Sequence, residues 1–445
     1  MTHGAARSTM ERPTRPSAGT PGGPSPIGSL RMPAPMPEAP RWNLAGLSVL
    51  PICLAAALAP VNPTLVFAGG IWIGIIALLT SGRIPRTGPA DYLALLLCCW
   101  ASATLIWSRD VDSSRIAVHA WWTVALLLIA ARHVLSSRRR LLLVAGCFLG
   151  GAGWVAVQLI LARDEAAAGP ALRTSLDGVG VNYTAYCLAT AALVTVLLLA
   201  VRAGNRLVRV VLWLLLPLLT YATMLTGTRA SLIALAAVAA YVIVSRFSER
   251  TWILAVPASA SMLAVIPFGH LATYHPQWLE NLFNRPLDDL SGRLAVWPIA
   301  EASFWESPLV GIGVGAFPST NPYYEVGAHS LLLTLGNDLG LIGIVLFAAL
   351  IGFLLRDAAP GQGRLHGLLV GALVVGWTPI WLSGHWEISP MAWLVLAVWS
   401  RLPVALPVRT AAHRLRRNAV DKRRPVGLRP RTTAASTGMP SAGRR

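Results

Sequence analysis

Two arginines and a histidine stand out in a chain that carries few charges. Arg229 ends the turn TGTR at 226–229 and opens the apolar run ASLIALAAVAAYVIV; Arg293 ends SGR at 291–293; His329 follows Gly-Ala at 327–328. A guanidinium presents a planar fork of donors that matches phosphate oxygens. At Arg229 the fork coincides with the N-terminus of an expected helix, whose unsatisfied amides and dipole favour an anion. Gly227 lets the backbone come close to a ligand, and Thr226 or Thr228 can cap the helix. His329 supplies an imidazole with an unperturbed pKa of about 6.5, suited to taking a proton from a hydroxyl near neutral pH. Each residue also has an ordinary role open to it. Arg229 can snorkel to a lipid phosphate, Arg293 can be a solvated loop charge, and His329 can be an interface residue at a span end.

Asp338, in GNDLG, lies nine residues beyond His329. On a straight helix that is about 13.5 Å deeper and on the opposite face, so it is a poor direct partner for the imidazole. A carboxylate inside a membrane span is a functional candidate by default. Asn337, with Gly336 and Gly340, also suggests a broken helix held locally. Glu325 and Glu387, with His385, are further candidates for supporting roles, as are Asn182 and Thr228. GIGVG at 311–315 has its third glycine misplaced for a dinucleotide fingerprint and no preceding strand, so it reads as a loop returning to the membrane. No Walker motif, metal-spaced His/Cys cluster or Ser–His–Asp pattern is visible. An enzyme here would work without nucleotide hydrolysis, and without a cofactor or metal site. Cys53, Cys98, Cys99, Cys147 and Cys187 all fall within apolar runs and read as packing residues.

The elements that must position these residues are membrane helices. The 445-residue chain is 55% hydrophobic and 13% charged, with a mean hydropathy of +0.58. Soluble domains are about a quarter charged. Spans are predicted at about 43–60, 62–80, 90–107, 116–131, 141–161, 179–201, 207–225, 229–245, 251–268, 329–354, 364–383 and 387–402. The fold class is therefore all-α integral membrane, a bundle of about twelve transmembrane helices. With the N-terminus inside, 30 Lys or Arg fall on the cytoplasmic side and 7 on the other, which sets both termini in the cytoplasm.

Residues 1–42 are rich in Pro, Gly, Ser and Thr and read as a disordered cytoplasmic tail ahead of a transmembrane domain at 43–402. Residues 403–445 carry eleven basic residues against one acid and read as a disordered tail resting on anionic lipid, not as a nucleic-acid arm. The long insertion 269–328 between the ninth and tenth spans lies outside. Within it, Ser291 can cap a short helix from Gly292 on which Leu294, Trp297, Phe304 and Trp305 share an arc suited to the headgroup plane.

TGTRAS at 226–231, SGRLAVWPIAEASFWESPLVGIGVGAF at 291–317, AHSLLLTLGNDLGLIG at 328–343 and VNYTAY at 181–186 together resemble the O-antigen ligase superfamily, over about 180–345. That family includes O-antigen ligases, polysaccharide polymerases and O-linked oligosaccharide transferases. The resemblance implies a bacterial inner-membrane enzyme with its active site facing the periplasm. It implies transfer of a glycan from an undecaprenyl-pyrophosphate carrier to an acceptor hydroxyl, on lipid A-core or another glycan. It also implies that Arg229 and Arg293 bind the pyrophosphate and that His329 is catalytic. The chain departs from the family pattern at Ser330, often Asn; at Asp338, often Glu; and at Asn182, the remnant of an Asp-Pro-Asn motif. A polymerase joining carrier-linked repeats is the near alternative. A transporter or lipid-glycan flippase is the alternative of another class, against which stand the absence of repeated halves and the gathering of charges at the outer edge.

Overall fold

The computed structural model describes residues 44–82, 87–163, 174, 178–200, 205–248, 251–268, 293–322, 326–358, 364–384 and 386–402. Both tails, Glu325, His385, Ser291 and Gly292 lie outside the described residues. Among those described there are helices and no strand. We label the main helices α1 (Val49–Val61), α2 (Pro63–Thr80), α3 (Pro89–Ala103), α4 (Val111–Val134), α5 (Arg138–Leu161), α6 (Val181–Ala200) and α7 (Arg206–Leu225). They continue as α8 (Arg229–Val244), α9 (Thr251–Phe268), α10 (Arg293–Glu306), α11 (Leu331–Asp357), α12 (Arg364–Trp381) and α13 (Pro390–Ser400).

A helix stands at each of the twelve predicted segments. Seven of them are long and apolar enough to cross a membrane: α2, α3 with the following turn to Ile106, α4, α5, α6, α7 and α11. The other five carry apolar stretches of 10 to 17 residues. Local sequence sets many of the ends. Asn62 caps α2 by accepting from the Leu65 amide at 3.1 Å, with Pro63 in the first helical position. Asp110 accepts from Ser113 at the start of α4, and Asn205 from Val208 at the start of α7. The Ser113 and Ser319 side chains and the Ser113 amide hold the half-buried Asp110 carboxyl down to about 2.

The chain folds around α13, in which every residue from Pro390 to Ser400 is buried. A helix apolar on all sides needs neighbours on all sides, and α1, α2, α4, α5 and α11 supply them. Trp393 of α13 meets Trp121 of α4 edge-to-face at 5.9 Å. The outer helices show the opposite pattern. Only 22% of the apolar window of α7 is buried, and Leu207, Val210, Val211, Trp213 and Leu214 face outward. Such a surface is stable against hydrocarbon and not against water.

α11 is broken at Gly340, where φ is 67° and ψ is −168°. The loop 307–312 fills the gap in the helix ladder. Leu341 donates to the Pro308 carbonyl at 2.8 Å, Ile312 to the Asn337 carbonyl at 2.7 Å, and the Trp100 indole to the Leu339 carbonyl at 2.9 Å. A Cβ at Gly340 would run into the Leu309 backbone. Gly340→Ala is expected to lower stability by about 1–3 kcal/mol, read as a fall in the melting midpoint in detergent. Gly352→Ala, on the same helix with open space around it, should be neutral or slightly stabilising. Equal behaviour of the two variants would remove the significance given to the break.

Candidate active site

Each of the sequence-predicted residues within the described set lies near one end of the bundle. The end of α7, the turn 226–228 and the start of α8 form a tight reversal in which Gly227 takes a φ of 60°. Thr226 and Thr228 are buried there. Thr228 occupies the N-cap position of α8 without capping it. Its hydroxyl instead donates to Asn182 Oδ1 at 3.4 Å, which ties the start of α8 to the start of α6. This corrects the capping role expected of Thr228. In the first turn of α8, Ser231 Oγ is buried and makes no hydrogen bond among the described residues. Arg229, half-buried, sits at the same helix end.

One turn along α6 from Asn182, the Tyr186 hydroxyl donates to the Ser383 carbonyl at 2.9 Å and lies 2.8 Å from Ser383 Oγ. Arg293 Nη2 donates to the same carbonyl at 2.8 Å. Trp386 covers this junction, with its ring 5.5 Å from Tyr186 and 5.9 Å from Tyr183. One turn along α10 from Arg293, the Trp297 indole donates to the Ala328 carbonyl at 2.9 Å, and Ala328 immediately precedes His329. A continuous path of side chains and carbonyls therefore runs from Thr228, beside Arg229, through Asn182, Tyr186, Ser383, Arg293 and Trp297 to the residue before His329. Tyr186, Ser383 and Trp386 are members of this junction that the sequence did not single out.

His329 has a φ of 49°, and among the described residues no other non-glycine has a positive φ. That region is costly for a residue with a Cβ and persists where the surroundings impose it. The Trp297 bond on one side and the start of α11 on the other do so here. Ser330, at the N-cap of α11, makes no capping bond with its side chain, and its hydroxyl is buried without a partner among the described residues.

α10 differs from its expected placement. Its buried face is Val296, Trp297 and Ala300, packed on α11, while Trp305 is 62% exposed. The arc from Leu294 to Trp305 is therefore split, with Trp297 packed inward and Trp305 facing outward. Asn337 fixes this packing by donating to the Ala300 carbonyl at 2.9 Å and to the Leu333 carbonyl at 2.8 Å. The GIGVG loop folds against the α3–α4 connection. Val314 donates to Thr104 Oγ1 at 3.1 Å, and its carbonyl accepts from Ser114. Asp338 lies on the unbroken first part of α11 and lines a cavity with Ala328, Thr334 and Glu387.

Fold and site together define a polytopic helical membrane protein with basic and imidazole groups gathered at one end. Residues 213–348 match the family model described as O-Antigen ligase, which supports the resemblance to the O-antigen ligase superfamily over that segment. The matched segment contains Arg229, Arg293, His329 and Asp338; Asn182, Tyr186, Ser383 and Glu387 lie outside it. No curated protein matches the chain.

Proposed function

We propose that the protein transfers an oligo- or polysaccharide from an undecaprenyl-pyrophosphate carrier to an acceptor hydroxyl at the periplasmic face of the bacterial inner membrane. The observation that carries this reading is the path of hydrogen bonds and helix turns, drawn from five separate stretches of chain, that connects Thr228, beside Arg229, with Arg293 and the residue preceding His329. In this reading the two guanidinium groups hold the diphosphate and stabilise the charge that grows on it. His329 takes the proton of the acceptor hydroxyl, whose oxygen attacks the anomeric carbon. The bond from that carbon to the phosphate oxygen breaks, and its electron pair leaves with undecaprenyl pyrophosphate. A single displacement inverts the anomeric centre, so a product with retained configuration would contradict it. The 30-to-7 division of basic residues supports a periplasmic location for this end.

A lipid-linked donor also needs a place for its hydrocarbon tail. A half-open cavity of about 490 Å³ lies among α6, α7, α8 and α12, lined by Leu193, Leu216, Leu235, Val238, Trp377 and Ile380. Apart from Thr190 and Thr220 its walls are apolar, and it begins within two turns of Arg229 on α8 and one turn of Tyr186 on α6. An isoprenoid chain would fit there with its diphosphate at the arginines.

Binding of undecaprenyl pyrophosphate to the full chain in lipid nanodiscs tests the donor site. Arg229→Ala and Arg293→Ala should each weaken it by about 10–100-fold, the effect of losing a charged hydrogen bond. Unchanged affinity in both would remove the donor assignment. A gene deletion separates the two acceptor readings: long polymer left on the carrier indicates a ligase, and single unpolymerised repeats indicate a polymerase.

A further inference from the structure

A smaller cavity of about 160 Å³ is enclosed by α4, the turn 315–318, the segment 327–328, the start of α11 and the loop before α13. It would hold about five waters or one sugar ring. Its walls combine two chemistries. Trp121, Phe317 and Ile388 are apolar, whereas Thr334 and Asp338, one turn apart on α11, and Glu387 from the loop bring oxygen atoms. Glu387 is buried, and its backbone is fixed by the Trp393 indole, which donates to the Glu387 carbonyl at 2.6 Å. Thr334 is only 8% exposed, and its hydroxyl makes no hydrogen bond among the described residues. A buried hydroxyl in that state is costly unless a ligand or water completes it.

We propose that this cavity seats the terminal sugar of the acceptor glycan. The inference rests on the transferase reading above and adds the acceptor subsite to it. A pyranose ring has apolar C–H faces, which suit the aromatic wall, and a rim of hydroxyl groups. Asp338 and Glu387, when ionised, are acceptors only, and adjacent ring hydroxyls are donors. Thr334 can serve as either. Ala328 forms part of the cavity wall and directly precedes His329, so a sugar held here would lie against the residue next along the chain to the proposed general base. Asp338 and Glu387 would then select the acceptor sugar and orient its hydroxyl.

The test is saturation-transfer NMR on the full chain in nanodiscs, with free hexoses and N-acetylhexosamines as probes. The wild type should saturate the ring protons of at least one sugar. The Asp338→Asn, Glu387→Gln double variant should lose the signal by about tenfold or more, as expected when two charged acceptors are removed. Thr334→Val, close in shape, should reduce it with an unchanged melting midpoint, which separates lost recognition from lost folding. Arg229→Ala should keep the sugar signal while losing undecaprenyl pyrophosphate. Equal signals in the wild type and the double variant, or no sugar bound by the wild type, would overturn the subsite. If sugars bind the wild type but undecaprenyl pyrophosphate does not, the transferase reading fails, and the acceptor role fails with it.

Discussion

His329→Ala is expected to reduce glycan transfer by about 10²–10⁴-fold, the usual contribution of a positioned general base, while donor binding and the melting midpoint stay near wild type. In the proposed mechanism the base acts on the acceptor hydroxyl and is not needed to hold the diphosphate, so the loss should fall on turnover. The backbone makes two further substitutions informative. With φ at 49°, His329→Gly relieves the strain and removes the imidazole together, and His329→Asn tolerates the left-handed region better than most residues while keeping a polar group. If transfer needs the imidazole, all three variants are inactive. Activity retained by the glycine or asparagine variant would show that backbone shape, and not proton transfer, is what this position supplies.

Arg132→Met is expected to lower stability by about 3–5 kcal/mol, because it leaves a buried carboxylate without its counter-charge. Arg132 sits at the opposite end of the bundle from the site and is 3% exposed. Its Nε donates to Asp91 at 2.9 Å and its Nη2 to Asp357 at 2.7 Å, while its carbonyl accepts from Arg401 Nε at 2.8 Å. One residue of α4 thus holds the start of α3 and the ends of α11 and α13. After the substitution, Asp91 would keep the Gly88 amide and lose the guanidinium. Arg132→Lys should fall between the two, since an ammonium cannot offer the same fork to two carboxylates. Unfolding midpoints in detergent measure the series. A double variant that also carries Asp91→Leu should recover part of the loss. If Arg132→Met melts with the wild type, the cluster contributes no stability.

The apolar elements were legible because each is a continuous run, and a helix stands at each expected segment. The break in α11 was legible as well, since Gly336, Asn337 and Gly340 mark it. What the sequence concealed lies in pairings over long separations. Nothing local distinguishes Tyr186 or Trp386 from other aromatic residues in a chain with 17 tryptophans; their role depends on Ser383 meeting α6 across 197 residues. Thr228 looked like a cap because caps are local, yet a partner on α6 takes its hydroxyl. The face of α10 was read in part, because the arc from Leu294 to Trp305 includes the buried Trp297 but not Val296 and Ala300, which complete the face packed on α11.

The half-open flank between α6, α7, α8 and α12 has a kinetic consequence. In the proposed reading, a carrier that slips in sideways between helices never leaves the bilayer, so encounter would be a search in two dimensions. Occupancy would then track the mole fraction of carrier in the surrounding lipid. Diluting the membranes in buffer should leave turnover unchanged, and diluting the carrier with added phospholipid should slow it.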